Sequence, residues 1–205
     1  MEFISIGPYC RTTEILHHHK LRLNAYPFDY IFSSLEIVAH AILDNFNIFL
    51  DKQYFTSGTN KTSMRHSYYC KMLDTKLLLH HHIKANYDSD YKVSSGNFFN
   101  HHNLFIDEDY KKFTRRCDRL LDLIKTNKKI VFVYYNCYTL DFADLIDFYN
   151  KFSTNKNIYI IGIYENNYES KILYENSNCK IYQNYDQSLI FSEMTAERPA
   201  APRSM

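Results

Sequence analysis

The chain has 205 residues, a length typical of one domain or of one domain with a small appendage. Lys and Arg number 24 and Asp and Glu number 23, so the net charge of +1 argues against a nucleic-acid-binding protein, which needs a basic excess. The 19 Tyr and 15 Phe supply a large core, and since no apolar run approaches the roughly 20 residues of a membrane span, we expect no membrane partner either.

The opening stretch predicts a strand followed by a helix, with a cysteine between them. Residues 3–6 form a short apolar run, Gly7 and Pro8 interrupt it, and a helical pattern follows to about Lys20. Unpaired N–H groups and the dipole at a helix start favour an anion, so we expect Cys10 to ionise readily and to act as a nucleophile. The alternative is a small buried hydrophobic residue, because free Cys is among the most buried residue types.

A second helix is predicted to run to about Phe49. Ser33 and Glu36 have the spacing of a capping box, and an apolar stripe follows them. The signal then weakens. We expect a loop over residues 56–67 and a strand over residues 68–73. The periodicity of residues 77–83 fits either a strand or a helix, and we favour a strand.

The clearest helix is predicted over residues 109–125, after an acidic first turn. Its polar face carries several basic residues, among them Arg115 and Arg116. We interpret this face as solvated or ion-paired, as most charged helix faces are. The alternative is that Arg115 and Arg116 pair with acidic groups such as Asp29 or bind an anionic ligand, and on this basis we assign Asp29, Arg115 and Arg116 to substrate binding.

The last third of the chain alternates strand and helix patterns. Apolar runs over residues 130–135 and 158–164 predict strands buried on both faces, and a helix over residues 140–152 separates them. This spacing predicts a parallel, right-handed crossover. A helix over residues 169–175 and a short strand over residues 180–183 follow.

These patterns together predict an α/β fold, a three-layer sandwich with a mostly parallel sheet. We expect a single domain over residues 1–192. Residues 193–205 are rich in Ala, Pro and Arg, unlike the rest of the chain, and predict a disordered or vector-derived tail.

A cysteine nucleophile needs a base, and a histidine pair in the middle of the chain is the best-placed source. His101 and His102 lie before the long helix, and only one of two neighbouring side chains can point into a given cleft. A third group orients the imidazole in such sites. Asn136, at the end of a predicted buried strand, is the first candidate for that role, with Asp29 and Asn103 as alternatives.

Metal and cofactor sites have weaker support in the sequence. His80 and His82 would face the same side of a strand, but no third ligand stands at a convincing spacing. The chain also lacks a G-x-G-x-x-G fingerprint and a P-loop. We therefore expect neither a metal nor a cofactor.

The five cysteines predict a reducing compartment. Their number is odd, their spacings are wide and no C-x-x-C pair occurs, which is typical of free thiols and not of a disulfide framework. The start of the chain has no signal-peptide pattern. We expect a cytoplasmic protein.

Three blocks of sequence resemble a known family. They are residues 3–10, with the S-x-G-x-x-C spacing, residues 26–36, with P-F-D-Y, and residues 99–103 followed by 115–119. Over residues 3–135 the chain resembles the family named the putative papain-like cysteine peptidases, which occurs in bacteria and large DNA viruses. The resemblance implies that Cys10 and one of His101 and His102 form a catalytic pair. It also implies an α+β papain-like fold as the alternative to the sandwich, and a host cytoplasm if the source is viral.

The leading hypothesis is therefore a thiol hydrolase of peptide, amide or thioester bonds. Cys10 would attack, His101 or His102 would act as the base, and N–H groups at the helix start would stabilise the oxyanion. One alternative is a binding or assembly module without enzymatic activity. A less favoured alternative is a transferase acting on sugars or nucleotides. The sequence specifies neither the substrate nor the oligomeric state.

Overall fold

The structure, a computed structural model, describes residues 1–8, 10–31, 33–57, 64–69, 104, 106–137, 142–166 and 168–196. Its strands are β1 (Glu2–Ser5), β2 (Phe55–Ser57), β3 (Met64–His66), β4 (Ile130–Asn136), β5 (Ile158–Tyr164), β6 (Lys171–Glu175) and β7 (Cys179–Gln183). Its helices are α1 (Cys10–His18), α2 (Leu35–Leu43), α3 (Asn47–Leu50), α4 (Asp107–Ile124), α5 (Ala143–Phe152) and α6 (Gln187–Ala196), with a 3₁₀ turn over Lys52–Tyr54.

Five strands form one sheet in the order β1-β4-β5-β7-β6. The first four are parallel, with Ser5 opposite Val133 and Val133 opposite Ile161, and β6 alone pairs antiparallel, with β7. The mostly parallel sheet is as predicted. Because parallel neighbours end at the same edge, the carboxyl ends of β1, β4, β5 and β7 lie together.

Helices cover both faces of this sheet. One face packs against α2, α4 and α5, where Phe132 meets Phe148 of α5 with ring centroids 5.8 Å apart. The other face packs against α1 and α6, where Phe3 meets Phe191 of α6 at 6.0 Å. The apolar run of β4 is buried throughout, and that of β5 at every residue but Tyr159, because layers lie on both sides of them. The predicted three-layer sandwich is confirmed and is favoured over the alternative α+β arrangement.

The helix predicted to run to Phe49 ends six residues earlier. Asn45 and Phe46 have φ angles of 52° and 60°, which a right-handed helix does not allow. The side chain of Asp44 accepts the N–H of Ile48 at 2.7 Å and so begins α3 as a new helix. Asp and Asn side chains compete with the helical backbone in this way, and this explains the break.

Three short segments were predicted wrongly. The predicted loop over residues 56–67 overlaps strands β2 and β3, which pair antiparallel with each other. Residues 67–69 are helical, not part of a strand over 68–73, and the N–H of Tyr69 donates to Nδ1 of His66 at 3.4 Å to close the turn. The predicted helix over 169–175 is instead strand β6. It forms a hairpin with β7, whose turn is stabilised by Oδ1 of Asn176, which accepts the N–H of Cys179 at 2.7 Å.

Several predictions fall on other parts of the chain. The segment 77–83 lies outside the described residues, as do residues 97–103 and 197–205. Helix α6 extends to Ala196, four residues past the predicted domain boundary. Among the described helices, none combines the length and the apolar character that a bilayer crossing requires.

Candidate active site

The junction between β1 and α1 brings Cys10 to the carboxyl edge of the sheet. The N–H of Ile6 donates to the carbonyl of Val133 at 2.9 Å, so the pairing with β4 continues one residue past β1. Gly7 then packs against α1, where an added Cβ would lie 1.8 Å from Oγ1 of Thr12. Only glycine fits this bend without displacing the helix. Cys10 follows as the first residue of α1, with an exposed free thiol, between a strand and a helix as predicted.

The surroundings of the Cys10 thiol favour its protonated form. Partial burial of the sulfur raises the thiol pKa, and the carboxylate of Glu14, one helical turn on, raises it further by its charge and by a hydrogen bond. The backbone N–H and Arg11 oppose this rise but do not outweigh it. The expectation that the helix start makes this thiol ionise readily therefore does not hold for the described surroundings, because burial disfavours the thiolate and Glu14 adds a like charge near it.

A hydrogen-bonded carboxylate lies at the same edge of the sheet, just past the end of β5. The Tyr135 hydroxyl donates to Oε2 of Glu165 at 2.5 Å, and Nε2 of Gln187 donates to Oε1 at 2.8 Å. Burial and then Glu165 raise the pKa of Tyr135, while a hydrogen bond from Arg11 opposes the rise. The network thus joins the start of α1, the ends of β4 and β5, and the start of α6.

A cleft of about 600 Å³ opens between α1 and α6 above this network. One wall is formed by successive turns of α1 and the residue after it, and the other by the end of β5 and the segment that leads into α6. Its lining residues are Arg11, Glu14, Ile15, His18, His19, Glu165, Tyr185, Asp186, Gln187 and Ser188. Cys10 is not itself a lining residue, but its neighbour Arg11 and the residue one helical turn on, Glu14, both line the cleft.

Asn136 is the last residue of β4 and is buried. Its Nδ2 donates to the Tyr134 hydroxyl at 3.2 Å, and its carbonyl accepts the N–H of Glu165 at 3.0 Å. Side chains alternate along a strand, so Asn136 shares the face of Tyr134, which packs with α2, α4 and α5, while Tyr135 faces α1. The next residue, Cys137, carries a second exposed free thiol.

Asp29 is buried in the loop between α1 and α2, with 2% of its surface exposed. Its Oδ2 accepts Nε–H of Arg22 at 3.0 Å and the N–H of Tyr26 at 2.9 Å, and Oδ1 accepts the Thr13 hydroxyl at 3.4 Å. Burial raises the pKa of Asp29, while the Tyr26 N–H and then Arg22 oppose the rise. These contacts tie the loop to α1. The carboxylate of Asp29 thus supports α1, and its assignment to substrate binding stays a prediction.

The two arginines that were assigned to substrate binding together with Asp29 have different environments on α4. Arg115 is exposed, whereas Arg116 is half-buried with its guanidinium 5.0 Å from the ring centroid of Phe113. Burial lowers the pKa of Arg116, and the charge of Asp29 opposes this. The ion pair of Asp29 is made with Arg22, at 2.9 Å, and not with Arg115 or Arg116.

The predicted bases, His101 and His102, lie outside the described residues, and so does the histidine pair at 80 and 82. In the described ranges, no group of three or more His, Cys, Asp or Glu side chains is arranged to hold a metal. The described part of the site therefore consists of the thiol, Glu14 and the network around Glu165.

A comparison with family models matches residues 1–163 to the family described as putative papain-like cysteine peptidase (DUF1796). The chain belongs to this family. No curated protein and no solved structure matches the chain. The match to the papain-like cysteine peptidase family begins with β1, includes Cys10 and ends within β5, so the α1 wall of the cleft lies inside it and the wall formed by Glu165 and the start of α6 lies beyond it.

Sequence reasoning missed two carboxylates of this family member's site. Glu14 lies four residues after Cys10 on a predicted helix, and residues at that spacing share a helix face. Glu165 directly follows a predicted buried strand, and polar residues at that position collect at the ligand-binding edge of a parallel sheet. Both signals were present in the sequence, but the partner of Glu165 at Gln187 depends on the packing of α6.

Proposed function

We propose that the chain is a thiol hydrolase whose nucleophile is Cys10. The observation that carries the proposal is the exposed sulfur at the first residue of α1, at the edge where parallel α/β sheets bind ligands. Membership of the papain-like cysteine peptidase family supports the class of peptidase-like hydrolases. The bond attacked is a peptide, amide or thioester bond.

In the proposed reaction a base removes the thiol proton and the sulfur attacks the acyl carbon. N–H groups at the start of α1 donate to the oxyanion that forms. The leaving amine or thiol takes the proton from the base, and water then cleaves the thioester to release the acid and the free Cys10 thiol. We propose His101 or His102 as the base and Asn136 as the group that orients its ring.

The raised pKa of the thiol makes a base necessary. Because burial and then Glu14 raise the pKa of Cys10, its sulfur is a weak nucleophile until a base removes its proton. The His101→Ala and His102→Ala variants should therefore differ: one should slow the alkylation of Cys10 near neutral pH, and the other should not. His80→Ala serves as the matched control. Equal alkylation rates in all three variants would contradict the proposal that His101 or His102 is the base.

Selective alkylation tests the nucleophile itself. Cys137 is a natural internal control because it is also an exposed free thiol at the carboxyl edge of the sheet. Iodoacetamide should label Cys10 faster than Cys137, as peptide mapping by mass spectrometry would show, and the Cys137→Ala variant should leave the Cys10 rate unchanged. Labelling of the two thiols at the same rate would contradict the proposal.

A binding or assembly module without enzymatic activity is the second candidate. The raised pKa of Cys10 favours it, because nucleophilic cysteines usually have a lowered pKa. Under this alternative, wild-type protein and Cys10→Ala turn over peptide and thioester reporter substrates at the same background rate. The two proteins differ only in stability. Turnover that Cys10→Ala abolishes and Cys137→Ala retains would exclude it.

We further propose that the protein works in a reducing compartment such as the cytoplasm, or the host cytoplasm if its source is viral. The cysteines of the described part, Cys10, Cys117, Cys137 and Cys179, are all free thiols. Dithiothreitol should leave the free energy of unfolding unchanged. A marked loss of stability on reduction would indicate a disulfide and contradict this proposal.

A further inference from the structure

The cleft between α1 and α6 has the position and the size of a substrate site. It lies at the carboxyl edge of the sheet, and its volume of about 600 Å³ falls within the range typical of small-molecule pockets. Its α1 wall starts at Arg11 and Glu14, within one helical turn of Cys10, and continues along α1 to His18 and His19. A molecule whose reacting bond lies at Cys10 can therefore reach this cleft past Arg11 and Glu14.

The charges on the walls of the cleft do not balance. Among the described residues that line it, Arg11 is the one Lys or Arg side chain, and it pairs with Glu14 at 3.8 Å. Within this described lining, Glu165 and Asp186 then leave an excess of two negative charges. Oδ1 of Asp186 accepts the N–H of Ser188 at 2.7 Å, a neutral contact at the start of α6.

Glu165 is held in place by two hydrogen bonds. Each of its carboxylate oxygens accepts one hydrogen bond, from the Tyr135 hydroxyl at 2.5 Å and from the Gln187 amide at 2.8 Å. Both donors are neutral, so they orient the carboxylate without cancelling its charge, and each oxygen keeps a lone pair for a further donor. No ion pair of Glu165 forms within the described ranges. A charged donor entering the cleft would find a fixed, half-buried partner there.

We propose that this cleft binds a cationic nitrogen of the substrate, an ammonium or guanidinium group, with Glu165 as its main partner. The inference rests on the proposed function for the reaction at Cys10. It narrows the substrate class to acyl compounds that carry a positive charge next to the reacting bond. Both a Lys or Arg side chain and a free amino terminus supply that chemistry.

Chloromethyl ketones of defined charge test the inference. In each, the Cys10 sulfur forms a bond to the methylene carbon and chloride leaves. Because this reaction is the same for every reagent, differences in labelling rate report differences in how the side chains bind. Acetyl-lysine, acetyl-norleucine and acetyl-glutamate reagents compare a cation, a neutral side chain of similar length and an anion. A norleucine reagent with a free amino group distinguishes an amino terminus from a side chain as the source of the charge.

The ratio of labelling rates is the readout, because a ratio cancels changes in the reactivity of Cys10 itself. We expect the lysine or the free-amine reagent to react faster than acetyl-norleucine, and acetyl-glutamate to react slowest. Glu165→Gln should bring the ratio close to one, whereas Glu169→Gln, at an exposed residue four positions on, should not. Should Glu165→Gln fold poorly, added salt provides a second test, since it should reduce the ratio in wild-type protein.

Two outcomes separate this inference from the proposed function. If Cys10 reacts faster than Cys137 but shows no preference for charge, the cleft inference is overturned and the nucleophile remains. If no reagent labels Cys10 faster than Cys137, the proposed function itself fails. A charge preference that Glu165→Gln leaves intact would also overturn the assignment of Glu165.

Discussion

A buried histidine should make the stability of this protein depend on pH between about 4 and 6.5. His66 ends β3 and is fully buried. Its Nε2 lies 3.1 Å from the carbonyl of Ile48, which can only accept, and its Nδ1 accepts the N–H of Tyr69 at 3.4 Å. The neutral ring therefore satisfies both contacts, whereas a protonated ring would point a second N–H at the Tyr69 N–H.

Burial lowers the pKa of His66 from 6.5 to about 4, and hydrogen bonding to Ile48 opposes this only in part. The unfolded chain then binds a proton more tightly than the folded protein. Stability is therefore fully present above pH 6.5 and is lost as the pH falls toward 4. Since one pKa unit corresponds to about 1.4 kcal/mol, the loss amounts to about 3 kcal/mol.

The variant that isolates this effect is His66→Gln, whose side chain keeps a donor for the Ile48 carbonyl but does not titrate. Urea unfolding followed by circular dichroism, at steps between pH 7 and 4, gives the free energy of unfolding of each protein. Carboxylates titrate in both, so the difference between wild type and variant isolates His66. His17→Gln, at an exposed position of α1, is the control: it shows how the loss of a histidine that is not buried changes the pH dependence of stability.

We expect the wild-type protein to lose about 3 kcal/mol more than His66→Gln over this range. A difference that stays constant from pH 6.5 to 4 would refute the reasoning. So would an NMR titration in which the His66 ring takes up its proton above pH 6, because the ring would then not be desolvated as the structure shows.

Substitutions at three further positions test the site and its support. Glu14→Gln should lower the pKa of the thiol at the start of α1 and speed its alkylation at neutral pH; an unchanged rate would show that the two groups do not interact. Gly162→Ala places a Cβ 2.4 Å from Leu145 Cδ2, so overpacking should cost about 1–3 kcal/mol in urea unfolding, and a neutral effect would contradict that packing. Asp29→Ala leaves Arg22 without its carboxylate and should cost about 3 kcal/mol, with Asp29→Asn milder because its oxygen still accepts a hydrogen bond; equal losses would argue against this.

The layered fold was predictable because its signals are local and strong. Continuous apolar runs over residues 130–135 and 158–164, with a helix between them, require a parallel sheet covered on both faces. Segments with mixed signals were predicted poorly. Residues 169–175 lack a clear period, and their conformation was decided by pairing with β7 and by the turn at Asn176.

The site was predictable only in its position along the chain. Gly7 and Pro8 end a strand pattern just before Cys10, and that alone indicates a cysteine at a strand-to-helix turn. The chemical state of the sulfur was predicted in the wrong direction. The helix start was weighed and Glu14 was not, although the like charge one turn away outweighs the backbone contribution.

The sequence by itself determined the main layered elements, the parallel sheet and the place of Cys10, because apolar periodicity and chain-breaking residues act over a few neighbouring positions. Only the tertiary structure decided which charged groups meet. Asp29 turns inward to Arg22, and Glu165 joins Tyr135 to Gln187, since such contacts depend on how distant helices pack against the sheet. The acidic cleft beside Cys10 is a consequence of that packing.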